Sequence, residues 1–143
     1  MILCDVNVLV YAHKTDAPRH EEFRGWLTDV LRGDEAYGYS DHVLSSVVRI
    51  ATNRRAVTPP STLDEVLSFV EIIRAQPTAV PLRPGPRHWP IFTSLCRASN
   101  ATANLVPDAY FAALAIEHGC EWITTDRGFA RFPGLRWRHP LDK

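Results

Sequence analysis

Little in this 143-residue chain marks a membrane, secreted or metal-knot protein. No apolar run approaches the roughly 20 residues that span a bilayer. The opening "MILCDVNVLVYA" has no basic stretch ahead of its apolar run and no small-residue cleavage site, so no secretory leader is expected. Cysteine is scarce: Cys4, Cys96 and Cys120 are far apart and odd in number. That argues against a disulfide framework or a zinc knot and points to reduced thiols in a cytoplasmic protein. The six histidines have no close zinc-ligand spacing. A glycine-rich phosphate loop and a nucleophile elbow are both missing. Net charge is zero, so overall composition does not announce a nucleic-acid binder.

What is present is ordinary for a globular domain with a core: 45% hydrophobic and 22% charged residues. No repeat, linker or low-complexity tract divides the chain, so residues 1–143 read as a single domain. The charges are unevenly placed. Between Ile72 and Pro107 stand Arg74, Arg83, Arg87 and Arg97 without one acid. Arg49, Arg54 and Arg55 lie close together, as do Arg127, Arg131, Arg136 and Arg138. These are either solvated surface charges or a local basic rim that positions phosphates.

Strand-like and helix-like segments alternate. Ile2 to Cys4 reads as a short buried strand, followed by a short helix from Asn7 to Ala12. Phe23, Trp26, Leu27, Val30 and Leu31 recur at helical spacing, which predicts a helix over Pro18 to Arg32. Ala36 to Tyr39 reads as a strand. Ser40 or Asp41 caps a helix reaching about Asn53. After Pro59 and Pro60, Thr62 and Glu65 form a capping-box pair for a helix with the apolar face Leu63, Val66, Leu67, Val70 and Ile73. A strand over Ala79 to Leu82 follows, then a helix opened by "RPGPRHWP". Val106 to His118 reads as a helix stopped by Gly119. Trp122 to Thr124 and Arg136 to His139 are the last strands. Trp89, Trp122 and Trp137 are expected to pack rather than to stack on bases. Strands separated by helices predict an α/β fold with a short, mainly parallel central sheet flanked by helices in three layers.

An acid that ends a buried strand costs desolvation unless something compensates it. Asp5 follows "ILC" and Asp126 follows "WITT". In open parallel sheets, ligand sites lie outside the carboxyl ends of the strands, so both acids belong to one edge. Asp108 follows "NLVP" at a helix start, which can reach the same edge. Three carboxylates brought together repel one another, and a hard divalent cation with all-oxygen ligation removes the conflict. Blander roles remain open at this point: Asp108 suits an N-cap and Asp126 a turn. A phospho-acceptor receiver domain also places acids at strand ends. However, the middle strands here do not end in an acceptor aspartate, and no late lysine is well placed.

The segments "DVNVLVYA", "NLVPDAYFAALAIEHG" and "TTDRGFARFPGL", in that order and across essentially the whole chain, resemble a PIN domain. More closely they resemble VapC-type toxins of bacterial toxin–antitoxin pairs, as do "VVRIATNRR" and "PGPRHW". The resemblance implies an endoribonuclease dependent on Mg²⁺ or Mn²⁺, with catalytic and metal-binding acids at Asp5, Asp108 and Asp126. It further implies that Asn7 and Thr124 hold the acidic loops or a water in place. The partners it implies are an RNA substrate, a second copy of the chain in a homodimer, and a small cognate antitoxin that blocks the groove.

One position departs from the PIN pattern. An acid is usual in the third helix, and Ser46 (or Ser45) stands there instead. A hydroxyl is a weaker, neutral ligand, so one tightly held cation near Asp5 and Asp108 is expected rather than two. Ser46 shares a helical stripe with His42, Arg49 and Asn53, which makes Arg49 a candidate RNA-binding residue, together with Arg127. The same departure supports the alternative of a PIN-like module that binds RNA or protein without cutting.

Overall fold

A computed structural model describes residues 1–143. Its core is a five-stranded, fully parallel sheet: β1 (Ile2–Cys4), β2 (Tyr37–Tyr39), β3 (Ala79–Pro81), β4 (Glu121–Ile123) and β5 (Trp137–Arg138), in the spatial order β3-β2-β1-β4-β5. The connections carry α1 (Val6–His13), α2 (His20–Arg32), α3 (Asp41–Ala51), α4 (Leu63–Ala75), α5 (His88–Ser99) and α6 (Leu105–Glu117), as well as a short 3₁₀ turn at Arg127–Arg131. From β1 to β2 to β3 the chain steps in one direction, then crosses back to β4. With right-handed crossovers this puts α1 to α4 on one face and α5 and α6 on the other. The packing agrees: α1 meets α2 and α3, α3 meets α4, and α5 meets α6. The three-layer α/β expectation therefore holds.

Local chemistry explains the element ends. The Ser40 hydroxyl accepts from the Val43 N–H at 3.4 Å and caps α3. Thr62 caps α4, accepting from the Glu65 N–H at 3.2 Å while its hydroxyl donates to the Glu65 carboxylate at 3.0 Å. Gly119, at φ +66°, takes the left-handed conformation that ends α6. Glu117 pins the preceding crossover: its carboxylate accepts from the N–H groups of Gly85 and Arg87 at 2.7 and 2.9 Å.

The core gathers Leu3, Val8, Val43, Val47, Val66, Leu114, Trp122, Ile123 and Phe129 around the central strands. All three cysteines are free. No helix is long and apolar enough to cross a membrane.

Two expectations about side chains fail. On α4, Val66, Val70 and Ile73 are buried, but Leu63 and Leu67 are 55% and 40% exposed. A single helix buries only the stripe its neighbours cover, and these two leucines lie beside that stripe. Trp89 was expected to pack, yet it is 65% exposed, with only its Phe92 edge covered, the rings 5.2 Å apart. Trp122 is fully buried and Trp137 partly so, as expected.

Candidate active site

The strand order reverses between β1 and β4: β1 leads away to β2, and β4 returns on its other side. Such a switch point opens a crevice at the carboxyl ends of the two strands. Asp5 leaves β1 there. Its backbone N–H continues the sheet ladder to the Ile123 carbonyl at 2.8 Å. Its side chain caps α1, with Oδ1 accepting from the Val6 N–H at 2.7 Å. The opening "VNVLVYA" can become a helix directly after a strand because Asp5 satisfies that first free amide.

Thr124 joins the two strand ends. It is fully buried, and its hydroxyl donates to Asp5 Oδ2 at 2.6 Å while accepting from the Asp126 N–H at 3.0 Å. Asp126 is exposed, and its Oδ1 accepts from the Gly128 N–H at 2.8 Å, capping the 3₁₀ turn. Asp108 is half-buried in the first turn of α6. Asn104 holds the N-cap position of α6 without a side-chain capping bond, so Asp108 is not the N-cap residue, and neither of its oxygens meets a hydrogen-bond partner within the chain.

These acids share one electrostatic environment. Burial raises the pKa of Asp5, the bonds from Thr124 and Val6 oppose that rise, and the neighbouring Asp126 adds to it. Asp108 is pushed up to about 6 by burial, then by Asp5 and Asp126, with Arg131 pulling the other way. Asp5 and Asp126 meet through Thr124 at the ends of β1 and β4, and Asp108 feels the charge of both from the first turn of α6. No three His, Cys, Asp or Glu side chains stand close enough to close a metal shell by themselves. The arrangement is an open set of carboxylate oxygens rather than a preformed cage. Its donors are anionic oxygens, which suit a hard cation better than zinc. Desolvation and Asp5 push the Cys4 thiol up to about 12, so no thiolate competes beside the acids.

The other candidate residues fall into two groups. Thr124 braces both acidic loops. Asn7 is exposed in the first turn of α1 and makes no hydrogen bond within the chain. Ser46 is half-buried on α3. On the same stripe, the His42 ring lies 4.9 Å from Phe111 and 5.5 Å from Tyr110, which ties this face to the helix that carries Asp108. Arg49 is exposed and has no acid partner, whereas Arg127 lies 3.6 Å from Asp142. Arg131 was singled out only as one of a run of arginines, yet its charge is the one felt at Asp108. Gly128, three residues before it, was the available signal: a glycine inside "TTDRGFAR" marks close packing of the loop.

Comparison with known proteins agrees with this geometry. The family model described as "PIN domain" matches residues 2–135. The ribonuclease VapC43 of Mycobacterium tuberculosis is 46% identical over 142 residues, covering 99% of this chain and 97% of the relative. Among solved structures, VapBC2 from Rickettsia felis, bound to a DNA fragment from their promoter, superposes with a TM-score of 0.69 at 16% identity. The match covers 97% of this chain and 98% of that one. VapC20 of M. tuberculosis, described as a sarcin-ricin loop cleaving toxin, superposes with a TM-score of 0.67 at 15% identity, covering 95% and 99%. The carboxylates at the switch point and the full-length match together place this chain in the PIN-domain family, within its VapC ribonuclease group.

Proposed function

We propose that this protein is a VapC-type toxin, an endoribonuclease that hydrolyses RNA phosphodiester bonds with Mg²⁺ or Mn²⁺ and is silenced by a small cognate antitoxin. The observation that carries the reading is the meeting of Asp5 and Asp126 at one switch point, bridged by Thr124, with Asp108 raised by burial and then by the charges of both. A site that is strained when all its acids ionise is a site that binds a cation. Mg²⁺ is commonly held by one or two carboxylates, keeps several waters and adds substrate phosphate oxygens, which fits an open carboxylate set. When bound, such an ion supplies Lewis-acid neutralisation of phosphate charge and a more acidic water.

The chain's own residues have distinct parts in this reading. Asp5 and Asp108 hold the ion. Asp126 holds it or orients a water, and its position depends on Thr124 and Gly128. Thr124 aims Asp5, and its short hydrogen bond favours the carboxylate form against the effect of burial. In this reading Asn7 and Ser46 hold water at the rim, Arg49 is a rim cation for RNA, and Arg127 joins it only on leaving Asp142. A homodimer acting in the cytoplasm completes the reading. The antitoxin partner is supported by the full-length likeness to VapC proteins and by the VapBC assembly among the structural neighbours.

Purified protein is incubated with total RNA in Mg²⁺, in EDTA, and as the Asp5→Asn variant. Cleavage is expected in the first sample alone. Full activity of folded Asp5→Asn protein would overturn the site assignment. RNA binding without cleavage by the wild type would favour the non-cutting module, which the serine at position 46 otherwise supports.

A further inference from the structure

Four arginines crowd the C-terminal segment, and three are committed elsewhere. Arg127 faces Asp142 at 3.6 Å, Arg136 donates to the Gly119 carbonyl at 2.8 Å, and Arg138 donates to the Glu121 carboxylate at 2.9 Å. Arg131 differs in which nitrogen is used: only its Nε is engaged, donating to the Gly128 carbonyl at 2.8 Å, and no ion pair takes up its terminal nitrogens. A guanidinium has five N–H donors, so the four on the terminal nitrogens remain for a ligand.

The placement of this group is specific. The point where a Cβ would stand on Gly128 lies 2.8 Å from Asp126 Oδ1 and 3.3 Å from Arg131 Nη2. Carboxylate and guanidinium therefore flank the same glycine without forming an ion pair. The 3₁₀ turn folds residue 131 back over residue 128, and only a residue lacking a side chain leaves room for both. The result is a cation held at the mouth of a carboxylate cluster by a backbone carbonyl, with its fork exposed.

We propose that Arg131 is the phosphate anchor of the site: its terminal N–H groups grip an RNA backbone phosphate and bring the strand against Asp5, Asp108 and Asp126. This deepens the ribonuclease reading above and rests on it. The physical need is plain. A polyanion approaching three acids is repelled, and a fixed cation beside them offsets that repulsion where the phosphate must sit. Arginine suits the task better than lysine, because one N–H can anchor the group while a planar pair still meets the phosphate bidentately.

The test uses fluorescein-labelled single-stranded RNA of mixed sequence and Asp5→Asn protein, so that binding is read without cleavage. Adding Arg131→Ala is expected to weaken binding about tenfold or more, the scale of charge-assisted hydrogen bonds lost. The slope of log affinity against log salt should fall by about 0.7, one phosphate contact on a single strand. Arg131→Lys should restore the slope but not the affinity. Arg136→Ala removes equal charge at the opposite edge of the sheet and should change neither. In the cleaving protein, Arg131→Ala should raise KM about tenfold with kcat within about twofold, the signature of lost uniform binding. The Mn²⁺ concentration for half-activation should stay level or fall, whereas loss of a mere brace for Asp126 would raise it.

Equal weakening by Arg136→Ala, or unchanged RNA affinity in both Arg131 variants, overturns the proposal. If Arg131→Ala does not fold, the Arg131→Lys result decides. Wild-type protein that cleaves RNA in an Asp5-dependent way while Arg131 variants behave normally refutes only the anchor. Wild-type protein that neither binds nor cleaves RNA refutes the ribonuclease reading itself.

Discussion

Removing the charge of Asp108 should stabilise the metal-free protein while destroying its activity. The carboxyl titrates at about 6 in the fold against an ordinary 3.8, because burial and then Asp5 and Asp126 disfavour its charged form. The folded chain therefore holds this proton more tightly than the unfolded one. Well below pH 3.8 both states are protonated and nothing is lost. As pH rises from 4 through 6 the unfolded chain releases its proton first, so folding stability falls. The shift taken at face value gives about 3 kcal/mol, at about 1.4 kcal/mol per pH unit. Asp108 is only half-buried, and solvent screening reduces this to about 1 kcal/mol. Asp108→Asn should thus raise the melting temperature in EDTA at pH 7.5 by about 3–4 °C for a domain of this size. The gain should disappear near pH 4. Saturating Mg²⁺ should reverse the order, because a ligand at a hundred times its Kd stabilises the wild type by about 2.7 kcal/mol. Circular dichroism melts at the two pH values, with and without Mg²⁺, decide the matter. An Asp108→Asn variant no more stable than wild type at pH 7.5 without metal would refute the idea that these carboxylates strain one another.

Three further outcomes follow from the same geometry. Thr124→Val, nearly isosteric at a fully buried position, leaves Asp5 Oδ2 and the Asp126 amide unpartnered. It should cost about 1–3 kcal/mol in urea denaturation and move the acidic limb of the cleavage profile to higher pH. Ser46→Glu should tighten Mn²⁺ binding in calorimetry if this stripe of α3 faces the site, and unchanged affinity in folded protein would count against that orientation. Gly128→Ala places a methyl carbon 2.8 Å from Asp126 Oδ1, so cleavage should drop sharply while the thermal melt moves little.

Much of this was legible before any coordinates. The α2 stripe of Phe23 and Leu27, the Thr62–Glu65 cap and the Gly119 stop are each written locally, within one helical turn, and each is present. The acids at 5 and 126 could be placed because strand ends of a parallel sheet share an edge. What could not be read depends on neighbours distant in sequence. The 3.6-residue period locates the centre of the α4 stripe but not its width, so Leu63 and Leu67 were assigned to the core and instead face outward. Trp89 was assigned by residue type, and type does not say whether a partner helix covers it. The role of Asp108 was ambiguous because a helix start rewards acids at several positions, and only the Asn104 cap separates them. Thr124 was expected to steady the site, but its bridging of two acids with one oxygen requires β1 and β4 to be adjacent. Arg131 escaped notice among similar arginines because its distinction lies in a turn that folds it over Gly128.

The pairing of Leu3 with Trp122 has a consequence for the order in which this molecule comes into being. β1 is made more than a hundred residues before β4, its partner in the centre of the sheet. Asp5 therefore waits for Thr124 and Asp126, and until they emerge its carboxylate has no brace and the crevice has only one wall. A chain still growing, or one released early by a stop or a frameshift, carries no assembled centre. A nuclease built this way is inert until β4 and the loop beyond it have emerged and folded. The interval in which a neutralising partner is needed thus begins with the emergence of Thr124 and Asp126, long after β1 is made.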